Sequence, residues 1–256
     1  MKVTKTVAEG ATHHNPMSQF EIHKIFPLQV HGYDISYTNA SLFMTISIIA
    51  IVLFMSLGMR RGALIPGRFQ SMVELSYQFV ADIIEDNVGH EGIQYFPLIF
   101  TIFMFVLFCN LLGLMPLMHS FTVTSHIIVT FALAAFIFIG VTLIAIVKHG
   151  PVAFLGSFLP AGTPVWMWPL MYFIELFSYL ARPVSLSVRL AANMMAGHTM
   201  LKIIAGFVLL LGFLGGWMPF AFLIVLSGFE VFVAILQAYI FTVLACVYLN
   251  QALHLH

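Results

Sequence analysis

RPVSLSVRLAANMMAGH, residues 182–198, sets two arginines, an asparagine and a histidine into a run of otherwise apolar and small residues. Apolar sequence continues on both sides of it, so the stretch reads as the middle of a helix embedded in a membrane. A charged group at membrane depth costs about 2.5–3.5 kcal/mol on insertion scales, and more in simulation, so it needs a partner, a wet cavity or a function. No acid lies within one turn of Arg189. That residue therefore reads as a fixed charge beside an ion path, whereas Arg182 reads as pairing with Glu175 or snorkelling to the inner interface.

The composition supports the membrane reading. Of 256 residues, 61% are hydrophobic and only 8% are charged, with a mean hydropathy of +1.02; soluble domains carry about 25% charged residues. The apolar runs are long enough for helices, each needing about 20 residues to cross, and lack the ten-residue alternation of barrel strands. The formal net charge is zero, which leaves no footprint for nucleic acid. Cys109 and Cys246 sit in apolar runs without CxxC spacing and read as buried small residues. The histidines are scattered without a metal-binding box, so neither a metal nor a cofactor is expected.

The runs place the elements. Residues 1–39 form a mixed polar tail, expected on the outer side, that lacks the layout of a cleaved signal. Within it, residues 17–26 carry a loose apolar side that would suit a short surface helix. Residues 40–256 are expected to form one membrane domain. A first span over 40–59 is followed by Arg60, Arg61 and Arg68, which puts its end inside by the positive-inside rule. Residues 69–88 alternate apolar residues with Glu74, Asp82, Glu85 and Asp86, too polar to cross, and predict an interfacial amphipathic helix. Further spans follow over 95–115 and 126–147, with Lys148 marking the inner end.

Two long helices, 169–211 and 219–253, complete five crossings. The first would run roughly 60 Å, twice a hydrocarbon core of about 30 Å, so the pair must form a strongly tilted hairpin. If the hairpin turns near Gly215, residues whose numbers sum to about 430 lie level. His198 then faces Glu230, Asn193 lies near Gln237, and Arg189 falls about one turn beyond. Glu175, Arg182 and Arg189 follow at intervals of seven down one side. Carboxylates and imidazole exchange protons, and arginine does not. Two proton-accepting zones separated by a permanent cation describe two half-channels with a barrier between them.

SLSVRLAANMMAGH at residues 185–198 and EVFVAILQAYIFTVLACVYLN at residues 230–250 closely resemble the subunit a family of F-type ATP synthases. The resemblance extends through NLLGLMP at residues 110–116 and the surface segment at 20–27. It implies a non-catalytic subunit that couples proton flow to ATP synthesis or hydrolysis beside a rotating ring of c subunits. Peripheral-stalk b subunits, the rest of the ATP synthase and membrane lipid are the implied partners, in a bacterial inner membrane or alternatively a mitochondrial one. By position, Arg189 matches the family's essential arginine and Asn193 and Gln237 match polar residues near it. His198 and Glu230 match the outer exchangeable pair and Glu175 the inner acid. Ser178, Tyr179 and Tyr239, with Arg182, fall among lining positions. The alternative from the residues alone is a stand-alone proton-coupled secondary transporter or channel.

Overall fold

The computed structural model describes residues 24–26, 29–30, 33–34, 36–60, 66–115, 122–159 and 164–254. It is an all-α membrane architecture with five helices long and apolar enough to cross a membrane. Ahead of them stand two short antiparallel strand pairs. β1 (Lys24–Phe26) pairs with β4 (Tyr37–Thr38), and β2 (Gln29–Val30) pairs with β3 (Tyr33–Asp34). The expected surface helix over 17–26 is thus not helical at its end; residues 17–23 lie outside the described residues. Ile25, Phe26, Tyr37 and Thr38 are strand-forming residue types, and backbone pairing between them outweighs a loosely amphipathic pattern.

Helix α1 (Asn39–Met59) starts where Thr38 Oγ1 accepts the Ser41 amide at 3.4 Å. Most of it faces outward; Ala40, Ser47 and Gly58 are its buried residues. Gly58 is the point of closest approach to α2 (Arg68–Val88), since a Cβ there would stand 2.4 Å from Val73 Cγ2. Helix α2 buries Val73, Val80, Ile83, Ile84 and Val88 as one stripe and exposes Glu74, Asp82, Glu85 and Asp86. It does not rest on lipid alone: the stripe packs on α1 and on the later helices α3 and α7. Gly89, at φ 79°, ends it and donates its amide to the Ile84 and Glu85 carbonyls.

A 3-10 turn (His90–Tyr95) leads into α3 (Phe96–Leu114), with Pro97 in the first turn where its missing donor costs nothing. A second such turn (Val123–Ser125) precedes α4 (Ile127–His149), which Gly150 ends at φ 85°. Lys148 Nζ meets Glu91 Oε2 at 2.6 Å and ties together the ends of α4 and of the turn before α3. A short helix α5 (Pro151–Gly156) and a 3-10 turn (Val165–Met167) lead to the last pair, α6 (Trp168–Gly215) and α7 (Trp217–Leu253).

Those two helices have 48 and 37 residues, about 72 and 55 Å at 1.5 Å per residue. A 30 Å hydrocarbon core holds such lengths only if they tilt. Gly212 breaks α6 at φ 60° and ψ −158°, a conformation that side-chain-bearing residues avoid, close to the expected helix end at 211. The core lies where α3, α4, α6 and α7 meet, around Met104, Val106, Leu186, Leu190, Met194 and Phe241. Ala234, Ala238, Ala245 and Ala252 line the buried side of α7, and these small residues let its backbone come close to its neighbours.

Candidate functional site

The turn between α6 and α7 sets a register that brings polar residues together at two levels. At the level nearer the hairpin turn, His198 Nδ1 lies 3.8 Å from Glu230 Oε1, within ion-pair reach but beyond a hydrogen bond. Both side chains are buried, 5% and 7% exposed. Gly197 makes the room, because a Cβ there would stand 2.6 Å from Glu230 Oε1. Both carboxylate oxygens and His198 Nε2 find no hydrogen-bond partner among the described residues. A buried acid without hydrogen bonds is costly, and such groups persist where they serve a chemical purpose.

Two turns along α7 lies the second level. Asn193 Nδ2 donates to Gln237 Oε1 at 3.0 Å. From α3, Asn110 Nδ2 donates to the Ala234 carbonyl at 3.3 Å, between the two levels. Asn110 Oδ1 and Gln237 Nε2 are buried with no partner among the described residues. Glu230 and Gln237, seven residues apart, are separated by about 10.5 Å along the helix. Unmatched polar atoms at both levels and between them make this seam attractive to water and protons.

Arg189 is the exception in the seam. It is exposed, and it makes no hydrogen bond or ion pair with any described residue. Its neighbours Leu190, Ala191 and Met194 are buried, while Val188, Ala192, Asn193 and Ala196 share its outward side. Beyond Gln237, α7 buries Phe241, Thr242, Ala245 and Cys246. Thr242 spends its hydroxyl on the Ala238 carbonyl of its own helix at 2.8 Å. The facing helix thus offers Gln237 on one side of the level of Arg189 and apolar residues at that level.

Toward the start of α6, a cavity of about 230 Å³ is lined by Glu175, Tyr179, Arg182, Tyr248, Gln251 and His254, with Phe138, Phe154 and Phe158 as its apolar wall. Arg182 does not pair with Glu175. Its Nη1 donates to Gln251 Oε1, and its guanidinium lies 5.2 Å from the Tyr179 ring centroid and 5.4 Å from that of Tyr248. A neutral amide and two ring faces hold the cation. The Tyr179 hydroxyl stands 2.6 Å from Thr142 Oγ1. Thr142 already donates to the Phe138 carbonyl, so Tyr179 is the donor.

Along α6, Glu175 lies about 21 Å on one side of Arg189 and His198 about 13.5 Å on the other, at 1.5 Å per residue. The structure therefore brings together His198 with Glu230, Asn193 with Gln237, and Glu175 with Tyr179 and Arg182 around one cavity. It does not bring in Tyr239, whose ring stacks 5.8 Å from Phe79 of α2, and Ser178 is exposed without a hydrogen bond. Thr142, Tyr248, Gln251 and His254 were not among the expected site residues. The same register that pairs Asn193 with Gln237 places Tyr248 level with Arg182, and that signal was present in the sequence. Thr142, on a separate helix, had no such signal. Among the described residues, no group of three or more His, Cys, Asp or Glu could hold a metal ion. Cys109 and Cys246 are free and buried.

Comparison with known proteins agrees with this geometry. The family model described as ATP synthase A chain matches residues 41–250. The chain is 56% identical over 243 residues to the ATP synthase subunit a of Pelagibacter ubique (strain HTCC1062), covering 94% of this chain and 98% of that one. It is 55% identical over 239 residues to the same subunit of Wolbachia sp. subsp. Drosophila simulans (strain wRi), covering 93% and 98%. To that of Ehrlichia canis (strain Jake) it is 56% identical over 243 residues, covering 94% and 99%. With five apolar spans, a long terminal hairpin and near-complete coverage by these relatives, the chain belongs to the ATP synthase A chain family.

Proposed function

We propose that this multi-pass subunit carries two offset proton half-channels beside a rotating ring of c subunits, and so couples transmembrane proton flow to ATP synthesis or hydrolysis. The observation that carries the reading is Arg189: an exposed guanidinium without an internal partner, set between a buried acid–imidazole pair and an acid-bearing cavity. A cation left without a counter-ion on an outward helix face at membrane depth calls for one from another subunit. A carboxylate on each ring subunit supplies it.

A proton from the outer side reaches the His198–Glu230 pair, crosses the Asn110 and Asn193–Gln237 levels, and neutralises a ring carboxylate. The neutral carboxylate moves into lipid with the ring. After almost a full turn it arrives on the inner side, and its proton leaves through the Glu175 cavity. The ionised carboxylate is drawn to Arg189 and passes it. Because arginine stays protonated, no proton crosses directly from one half-channel to the other. The membrane potential supplies about 2.3 kcal/mol per charge per 100 mV, so several transfers accompany each ATP.

The chain itself is not catalytic in this reading. It has no GxxxxGK[ST] sequence to cradle a nucleotide, and the ATP chemistry belongs to the soluble partner sector. Peripheral-stalk b subunits hold it still against the ring, and the bacterial relatives favour the inner membrane as its location. The test is Arg189→Ala in the assembled complex, reconstituted in vesicles. ATP-driven proton pumping should be lost while assembly persists; pumping at the parent level overturns the reading, as does proton transport by the purified chain alone.

A further inference from the structure

The inner end of the hairpin carries an arrangement that the half-channel reading does not use. Pro183 lies inside α6 and gives no amide hydrogen to the Tyr179 carbonyl, so the helix is weakened over the turn 179–183. That turn is the one gripped from outside. Arg182 reaches across to Gln251 of α7 and lies against the rings of Tyr179 and Tyr248. Tyr179 in turn donates to Thr142 of α4, and its ring packs edge-on against Phe154 and Phe158 at 5.9 and 5.3 Å. Three helices are thus joined through Tyr179 and Arg182 at a turn that lacks one of its own hydrogen bonds.

We propose that Arg182 is a positioning residue: clasped by Gln251 and the rings of Tyr179 and Tyr248, it locks the Pro183 turn of α6 so that Arg189 keeps its place against the ring. The proposal rests on the half-channel reading. Arg189 lies seven residues along the same helix side, about 10.5 Å away, with no internal partner to hold it. Its position is therefore set by the backbone beneath it. A moving ring pulls on the exposed side of α6 through each charge that meets Arg189, and a soft turn at Pro183 would let the helix follow. A helix held two turns away by a bonded cation and two aromatic faces does not. Glu175 shares the cavity wall with the clasp, so the same lock keeps the inner route in register.

The experiment measures proton transport per ATP hydrolysed in vesicles carrying the whole complex. Gln251→Leu and Arg182→Gln should each lower that ratio about fivefold. The reversed pair, Arg182→Gln with Gln251→Arg, should regain at least about half of the loss. Single variants at the parent ratio, or a reversed pair no better than the singles, overturn the proposal. Should these variants not assemble, Tyr248 gives the same comparison: Tyr248→Phe keeps the ring and should retain more transport than Tyr248→Leu, which removes it, and equal behaviour of the two overturns the clasp. Arg189→Ala serves as the reference. If it too transports at the parent ratio, the half-channel reading has failed; if it abolishes transport while the clasp variants do not, the clasp alone has failed.

Discussion

Asn193 and Gln237 meet at 3.0 Å across the hairpin, one turn from an arginine that meets nothing. The pair is asymmetric: Gln237 is buried and leaves its Nε2 without a partner, whereas Asn193 is on the exposed side. It therefore connects the interior seam to the outward face that bears Arg189. Gln237→Leu keeps the volume and removes that connection. Proton pumping should fall about tenfold, and a double-mutant cycle with Asn193→Ala should return a coupling of about 0.5–3 kcal/mol in the activation free energy. Additive losses would mean the two side chains act separately.

Gly197 is predicted to be intolerant of a methyl group. Gly197→Ala puts a Cβ 2.6 Å from Glu230 Oε1, the far end of a flexible side chain, so the carboxylate must move. Because that end can shift, a cost of about 1 kcal/mol, the low end for overpacking, is expected. Thermal unfolding of the assembled complex should register it, together with reduced pumping. Adding Glu230→Asp withdraws the carboxylate by one methylene and should recover part of the stability; no recovery would place the strain elsewhere.

Glu230→Gln separates stability from function. Both oxygens of this buried acid lack hydrogen bonds, so replacing it with a neutral isostere relieves a desolvation cost. The variant should be at least as thermally stable as the parent and should pump protons at least about tenfold more slowly, the scale on which a lost proton carrier is felt. A stable variant with parent pumping would remove Glu230 from the path.

Tyr179→Phe removes the hydroxyl that donates to Thr142 while keeping the ring under Arg182. A loss of about 0.5–1.5 kcal/mol is expected for one such hydrogen bond. Thr142→Val should cost a similar amount, and the double variant should cost less than the sum. Full additivity would show that the bond contributes nothing.

Much of this was legible from residue order because a membrane restricts the choices. The five spans follow from uninterrupted apolar runs, and their helical ends fall within a few residues of the expected limits. The pairing of His198 with Glu230 and of Asn193 with Gln237 follows from a turn near Gly215 and the fixed helical rise. The expected pairing of Arg182 with Glu175 is not formed; Glu175 lies on the same helix, and seven-residue spacing weighs heavily when only one helix is in view. The actual partner of Arg182 lies one helix away, where spatial neighbours depend on crossing geometry. The cavity beside Glu175 was legible only in part: the hairpin register places Tyr248 level with Arg182, but the space also draws side chains from α4, α5 and the residues after α5, which no local pattern announces. At residues 24–26 the failure was of another kind, a faint amphipathic period set against strand-forming side chains with a pairing partner a dozen residues on.

The solitary exposure of Arg189 also bears on how the subunit is made. Inserted before its neighbour arrives, the chain would hold a bare guanidinium against acyl chains, at a cost of at least about 2.5–3.5 kcal/mol unless lipid headgroups and water are drawn inward to meet it. If the finished complex presents a carboxylate there, as proposed above, that penalty is removed. The orphan subunit is then the less favourable species, so quality control can recognise unassembled copies by a charge that has not yet been answered. Cells lacking the ring should accumulate less of this chain, and Arg189→Leu should lengthen its lifetime in those cells.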